Sequence, residues 1–152
     1  ESQVTELSNG NLLMNMRSYN DKQARAISYS KDGGQTWSEI KHDFQLVESS
    51  CQAAILNFGK TKGQQVHLFL NPAVPHGRNY MTLKVSLNDC QSWSNGKLIY
   101  EGPAAYSSIA KLPDGRIGLF FEAGAKRPYE KMVFVSFDWN KIFLPGSLLQ
   151  KL

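Results

Sequence analysis

Helical periodicity is what this 152-residue chain has least of. Long stretches with apolar residues at three- and four-residue spacing are hard to find, which turns the reading away from α folds. No apolar run approaches the ~18 residues that a membrane helix needs. No signal-peptide pattern is visible either, and the compartment stays unassigned, with secreted and periplasmic locations both open. Cysteine is scarce. The two present, Cys51 and Cys90, are too few for a disulfide framework, and each lies by a strand pattern where a buried small apolar residue is expected. The three histidines, His42, His67 and His76, lack metal-ligand spacing and are expected at the surface or in packing. No metal and no cofactor is therefore expected. Basic residues do not interleave with aromatics into a nucleic-acid stripe, and Asp32-Gly33-Gly34 is a turn that no Walker pattern follows. Glycine and proline are scattered, so neither collagen nor a low-complexity tail is indicated.

What is present is ordinary in amount and informative in order. Hydrophobic residues make up 41% and aromatics 11%, enough for one domain-sized unit with a core of its own. The net charge of +4 permits an acidic ligand without identifying one. Short strand patterns recur between turn signals. Strands are expected at Gln3 to Leu7, Leu12 to Met16, Ala24 to Ser30 and Thr36 to Ile40. Others are expected at Ala53 to Phe58 and Val66 to Leu70, around a turn from Gly59 to Gly63, and at Tyr80 to Leu87. Ser108 to Leu112 and Arg116 to Glu122 flank Pro113-Asp114-Gly115, a strong turn signal. Lys131 to Phe137 is the last clear strand. A helical turn is expected only between Trp139 and Leu152, limited by Pro145-Gly146. About eleven strands at hairpin spacing predict an antiparallel all-β fold.

An internal repeat narrows the fold. Ser30-Lys31-Asp32-Gly33-Gly34-Gln35-Thr36-Trp37 has a weaker copy in Ser86-Leu87-Asn88-Asp89-Cys90-Gln91-Ser92-Trp93, 56 residues on. Repetition at a period near ~40–50 residues is what a four-stranded propeller blade occupies, so about three blades are expected. The repeat is read as structural. Asp32 accepts turn N–H groups, Gly34 takes a positive-φ position, and Trp37 packs beneath. With Asn88 and Cys90 in place of Asp32 and Gly34, the second turn is expected to be looser or differently closed.

The repeat has the form Ser-x-Asp-x-Gly-x-Thr-Trp, the Asp-box, and Ser30, Asp32, Gly34 and Trp37 carry it. Other segments extend the likeness in order. Glu1 to Gly10 resembles the strand and turn that carry a catalytic glutamate in sialidases. Leu12 to Arg17 resembles the next strand, ending in a substrate-binding arginine. Asn71-Pro72 through Gly77-Arg78-Asn79 resembles the segment with another such arginine. Ala105-Tyr106-Ser107-Ser108-Ile109, with Leu112 to Leu119 and Glu122, resembles the nucleophile segment. The chain thus resembles the exo-α-sialidases of glycoside hydrolase family 33. It is expected to form the C-terminal part of their six-bladed catalytic propeller over residues 1–152. The resemblance begins part-way through that domain, and the chain opens on Glu1 inside a strand pattern. An aspartate acid/base and the first arginine of the family's triad are expected to precede Glu1, so the N-terminal half of the propeller is an expected partner.

The chemistry follows from the charge of the substrate. Sialic acid carries a carboxylate on its anomeric carbon. Two like charges ~4 Å apart repel by ~1 kcal/mol in water and by several times that in a shielded site. A neutral phenol avoids this, and the resemblance assigns Tyr106 as nucleophile in a retaining mechanism. A phenol of pKa ~10 needs a base at neutral pH, and the resemblance supplies Glu1. Arg17 and Arg78 are the candidates for gripping the substrate carboxylate, because guanidinium donors match it in pairs. Glu122 is expected to orient a triad arginine. Arg25, Arg116 and Arg127 lack motif support and are expected at the surface. Alternatives are a trans-sialidase with the same residues, a non-catalytic sialoglycan-binding propeller, or a propeller used only for protein contact.

Overall fold

The computed structural model describes residues 1–142. They form ten strands: β1 (Ser2–Glu6), β2 (Leu12–Met16), β3 (Ala24–Ser30), β4 (Lys41–Val47), β5 (Ala54–Thr61), β6 (Gln64–Pro72), β7 (Asn79–Ser86), β8 (Lys97–Lys111), β9 (Ile117–Ala123) and β10 (Lys131–Phe137). A 3-10 turn at Trp139–Ile142 follows. Every pairing is antiparallel between consecutive strands. One sheet runs β1-β2-β3-β4 and the other β5-β6-β7-β8-β9-β10.

The second sheet is two propeller blades joined by a shared strand. The first half of β8 pairs with β7, from Lys97 to Pro103, and the second half pairs with β9, from Ala104 to Lys111. β8 thus closes one four-stranded blade and opens the next. The described residues hold two complete blades, β1–β4 and β5–β8, and three strands of a third. The opening strands β1, β5 and β8 lie side by side, and the bulge where β8 passes into the third blade meets the head of β1, Tyr106 against Glu1.

The central blade shows why the sequence stacks this way. Side chains alternate between sheet faces. On β6, Val66, Leu68 and Leu70 enter one core with Met81, Leu83, Leu119 and Phe121 of the central and third blades. Phe69, on the opposite face, enters a second core with Leu7, Leu13 and Leu46 of the first blade and with Cys90 and Trp93. A strand covered on both faces needs no polar side, hence the near-continuous apolar run Val66 to Leu70. Burying each such side chain contributes about 1.5–3 kcal/mol. Both cysteines are buried free thiols.

The all-β blades agree with the expected fold, and several local expectations are corrected. The segment from Thr36 to Ile40 is not a strand. Ser38 takes the ladder's place there: its Oγ accepts from the Tyr29 amide at 3.0 Å and its amide donates to the Tyr29 carbonyl at 2.8 Å. The turn after β5 is only Lys62-Gly63, both at positive φ (50° and 82°), the geometry that suits a two-residue hairpin. β8 starts at Lys97, well before Ser108, because Gly102-Pro103 interrupts its pattern without ending the strand. Ten strands rather than eleven result among the described residues. The expected terminal helical turn is present as Trp139–Ile142, and Pro145-Gly146 lies outside the described residues.

The second Asp-box closes like the first. Ser30 Oγ accepts from Gly34 N at 2.9 Å and Asp32 Oδ1 from Thr36 N at 2.9 Å. In the copy, Ser86 Oγ accepts from Cys90 N and Asn88 Oδ1 from Ser92 N, each at 3.0 Å. An amide oxygen accepts as a carboxylate does, and Cys90 adopts φ 61° where Gly34 has 93°. The copies differ in their tryptophans. Trp37 Nε1 donates to Gly34 O at 3.0 Å, whereas Trp93 Nε1 reaches Asp43 on the first blade at 3.1 Å.

Arg25 is not a surface residue. It and Glu48 are each only 1% exposed. Arg25 Nη1 donates to Glu48 Oε2 at 2.5 Å and to Cys51 O at 2.7 Å, and Nε donates to Asn15 Oδ1 at 2.7 Å. A charge this deep is tolerated because three of its donors are met, one of them by a carboxylate. Arg116, by contrast, is exposed and paired with Asp114.

Candidate active site

The site lies where the opening strands begin. Glu1 immediately precedes β1, Arg17 immediately follows β2, and the Arg17 amide donates to Glu1 O at 2.9 Å. That backbone bond extends the hairpin and puts the two side chains next to each other. Arg17 Nη1 donates to Glu1 Oε2 at 2.7 Å. Tyr106 comes from β8 of the third blade. Its hydroxyl donates to Glu1 Oε1 in a very short hydrogen bond and accepts from Arg17 Nη1 at 3.2 Å.

Tyr106 reaches this point through a bulge. Ala104 pairs with Ala123 and Ser107 with Phe121, so three steps on β8 match two on β9. Such an insertion re-aims the side chain it carries. It also takes the Tyr106 amide off the ladder, where Glu122 Oε2 accepts it at 3.0 Å. Among the described residues Glu122 therefore meets the tyrosine backbone, and no ion pair joins it to an arginine.

Arg78 approaches from the other side, in the loop just before β7. Its Cζ lies 5.7 Å from the Tyr106 ring centroid. Nη1 donates to the Tyr129 hydroxyl at 2.6 Å, and Nη2 lies 3.5 Å from Ser50 O. Arg17 stacks over Tyr19, with Cζ 4.6 Å from its ring centroid. Glu1, Arg17, Arg78, Tyr106 and Glu122 thus gather at one end of the blades. The Asp-box residues Ser30, Asp32, Gly34 and Trp37 close their own turn.

The electrostatics divide acid from base. The hydrogen bond from Tyr106, then that from Arg17, holds the Glu1 carboxyl below the usual carboxylate range. The same bond to Glu1, then burial, raises the Tyr106 phenol above its ordinary value. At neutral pH the pair rests as carboxylate and neutral phenol, the state a general base and its nucleophile need. Two guanidinium groups beside them suit an anionic ligand.

Sequence reasoning missed several neighbours. Tyr19 and Tyr129 hold the arginines, and neither lies in a motif. Arg25 and Glu48 sit behind the site, where Glu48 Oε1 accepts from Ser18 N at 2.6 Å. A signal for Arg25 was present: in β3 it shares a face with Ile27 and Tyr29, and a charge on an apolar face needs a buried partner. A polar cavity of about 280 Å³ opens beside the arginines, with Ser18, Glu48, Ser50, His76 and Gly77 in its wall.

Residues 1–119 match the family of BNR repeat-like domains. The sialidase of Micromonospora viridifaciens is 32% identical over 130 residues, which span 82% of this chain and 20% of that protein. The sialidase of Bacteroides fragilis is 34% identical over 131 residues, spanning 81% of this chain and 24% of that protein. In fold, the chain is similar to the K499G mutant of the NanB sialidase from Streptococcus pneumoniae. Its TM-score is 0.81 and its identity 24%, with 92% of this chain and 23% of that chain covered. The chain therefore spans only 20–24% of the length of these curated relatives.

Proposed function

The chain belongs to the family of BNR repeat-like domains, and on that premise we propose that the protein carrying it is an exo-sialidase, which releases terminal α-linked sialic acid from glycoconjugates. On this reading residues 1–152 are the C-terminal part of its catalytic propeller, and the preceding blades supply an acid and a third arginine. The observation that carries the proposal is the hydrogen bond from Tyr106 to Glu1 between two arginines.

The reaction is retaining and has two steps. Arg17 and Arg78 bind the substrate carboxylate, which turns the anomeric carbon toward Tyr106. The Tyr106 oxygen bonds to that carbon as the glycosidic C–O bond breaks. The phenol proton passes to Glu1, and the leaving oxygen takes a proton from an acid on the preceding blades. Water then attacks the same carbon and gives its proton to that acid's conjugate base. The tyrosyl bond breaks, and Glu1 returns its proton to the phenolate.

The test is a quenched reaction of the complete protein with an α-sialoside, followed by peptide mass spectrometry. A sialyl adduct on the Tyr106 peptide is expected. Tyr106→Phe should lower kcat by about 10²–10⁴-fold. Wild-type turnover by that variant would refute the reading. The same reaction, assayed for free sialic acid against transferred product, separates hydrolysis from the trans-sialidase alternative.

A further inference from the structure

We infer that Gln52 is a positioning residue for Tyr106, a role that rests on the nucleophile reading above. The bulge in β8 leaves the Ser107 peptide groups facing away from β9, toward the start of β5. Gln52, two residues before β5, meets both of them. Its Oε1 accepts from Ser107 N at 2.8 Å, and its Nε2 donates to Ser107 O at 3.0 Å. A primary amide can present one acceptor and one donor side by side, so a single side chain does what a β-bridge partner would do.

The clamp is anchored at both ends. Gln52 Nε2 also donates to Ala53 O at 3.0 Å, tying the side chain to the backbone just ahead of β5. Ser107 Oγ donates to Leu70 O at 3.0 Å, tying the clamped residue to the central blade. With Glu122 of β9 on the Tyr106 amide, consecutive N–H groups of the bulge are each held by a side chain from a different part of the fold, one on β9 and one just ahead of β5. The peptide plane between Tyr106 and Ser107 then has little freedom to rotate, and that plane sets the direction of the phenol toward Glu1 and Arg17. The Gln52 side chain hydrogen-bonds Ser107 and Ala53 and neither Glu1 nor Arg17, so its effect is on the geometry of attack, where a displacement of ~1 Å can cost ~10²-fold in rate.

The test uses the complete protein carrying this chain, with a fluorogenic α-sialoside as probe. Gln52→Ala is expected to lower kcat by about 10- to 100-fold while KM stays within about twofold. Gln52→Glu is the sharper variant. Ionised, its carboxylate repels the Ser107 carbonyl; protonated, it again offers an acceptor and a donor in the same places. The ratio of its kcat to wild type should therefore rise about tenfold as pH falls from about 7 to about 5. A Gln52→Ala enzyme with wild-type kcat, a loss confined to KM, or a pH-independent ratio for Gln52→Glu would each overturn the role. If Gln52→Ala does not fold, the ratio decides alone. Full activity in Tyr106→Phe would instead remove the nucleophile reading, whatever Gln52 does.

Discussion

The Tyr106 hydroxyl donates its proton to a carboxylate 105 positions earlier in the chain, that of Glu1. Because this bond lowers the Glu1 pKa and raises that of Tyr106, it sets the pH range of the proposed reaction. The base works only when ionised. Activity should fall as pH drops through a Glu1 pKa below the ordinary value of about 4.3, and stay flat above it until another group titrates. In the complete protein, Glu1→Gln should lose about 10²–10⁴-fold in kcat/KM and the acid limb assigned to Glu1. An unchanged acid limb in that variant would assign it to another residue.

Arg25 and Glu48 stand directly behind the site, and their removal should be felt in stability. Burial lowers the Arg25 pKa while Glu48 opposes that shift. Truncating one partner leaves the other charged and dry, so Arg25→Met should destabilise the complete protein by about 3–5 kcal/mol in urea denaturation. Replacing both, as in Arg25→Met with Glu48→Met, should restore part of that loss, since two apolar side chains desolvate no charge. A double variant that is less stable than the single would show that the pair is net favourable as it stands.

Much of the site was legible because its chemistry sits in short ordered motifs. Glu1, Arg17 and Arg78 flank strands and Tyr106 lies inside β8 at its bulge, and it is the resemblance of the segments around them, not alternation alone, that singles them out. What escaped reading depends on three-dimensional pairing. Gln52 meets Ser107 across 55 positions, and Tyr129 meets Arg78 across 51. Neither pairing has a periodicity. β8 was cut short for a related reason. A strand that passes from one blade to the next breaks its own alternation at Gly102-Pro103, although the backbone stays extended. The Thr36 to Ile40 expectation failed where Ser38 substituted a side chain for the ladder.

The two Asp-boxes make a controlled comparison within one chain. Hydrogen bonds from the Thr36 side chain, the Thr36 amide and Ser30 lower the Asp32 pKa to about 2. A depressed folded-state pKa means this turn's contribution is present above the unfolded value of about 3.9 and is lost as pH falls toward about 2. Asp32→Asn should keep most of the closure, since Asn88 makes the equivalent bonds in the second copy, and should remove that acid sensitivity. Asp32→Ala should lower Tm more than Asp32→Asn at neutral pH. Equal melting temperatures for the two variants would mean that the side-chain oxygen does not hold the turn.

One face of the third blade is covered by no other described element. Phe120 and Phe134 are cross-strand neighbours there, and Met132 pairs beside them with Glu122. Phe120 is 44% exposed, Phe134 58% and Met132 52%. Three large apolar side chains on one face of a sheet mark a surface that another layer should cover, and in the proposed enzyme that layer is a preceding blade. The 152 residues expressed alone should therefore show no sialidase turnover and should self-associate through this face. Light scattering on the isolated chain checks the second point, and Phe120→Lys with Phe134→Lys should reduce the association. Adding the preceding blades as a separate polypeptide should suppress association and restore turnover together. If the isolated chain stays monomeric and hydrolyses an α-sialoside at the rate of the complete protein, the catalytic groups are all within these residues and the proposed division of the site is wrong.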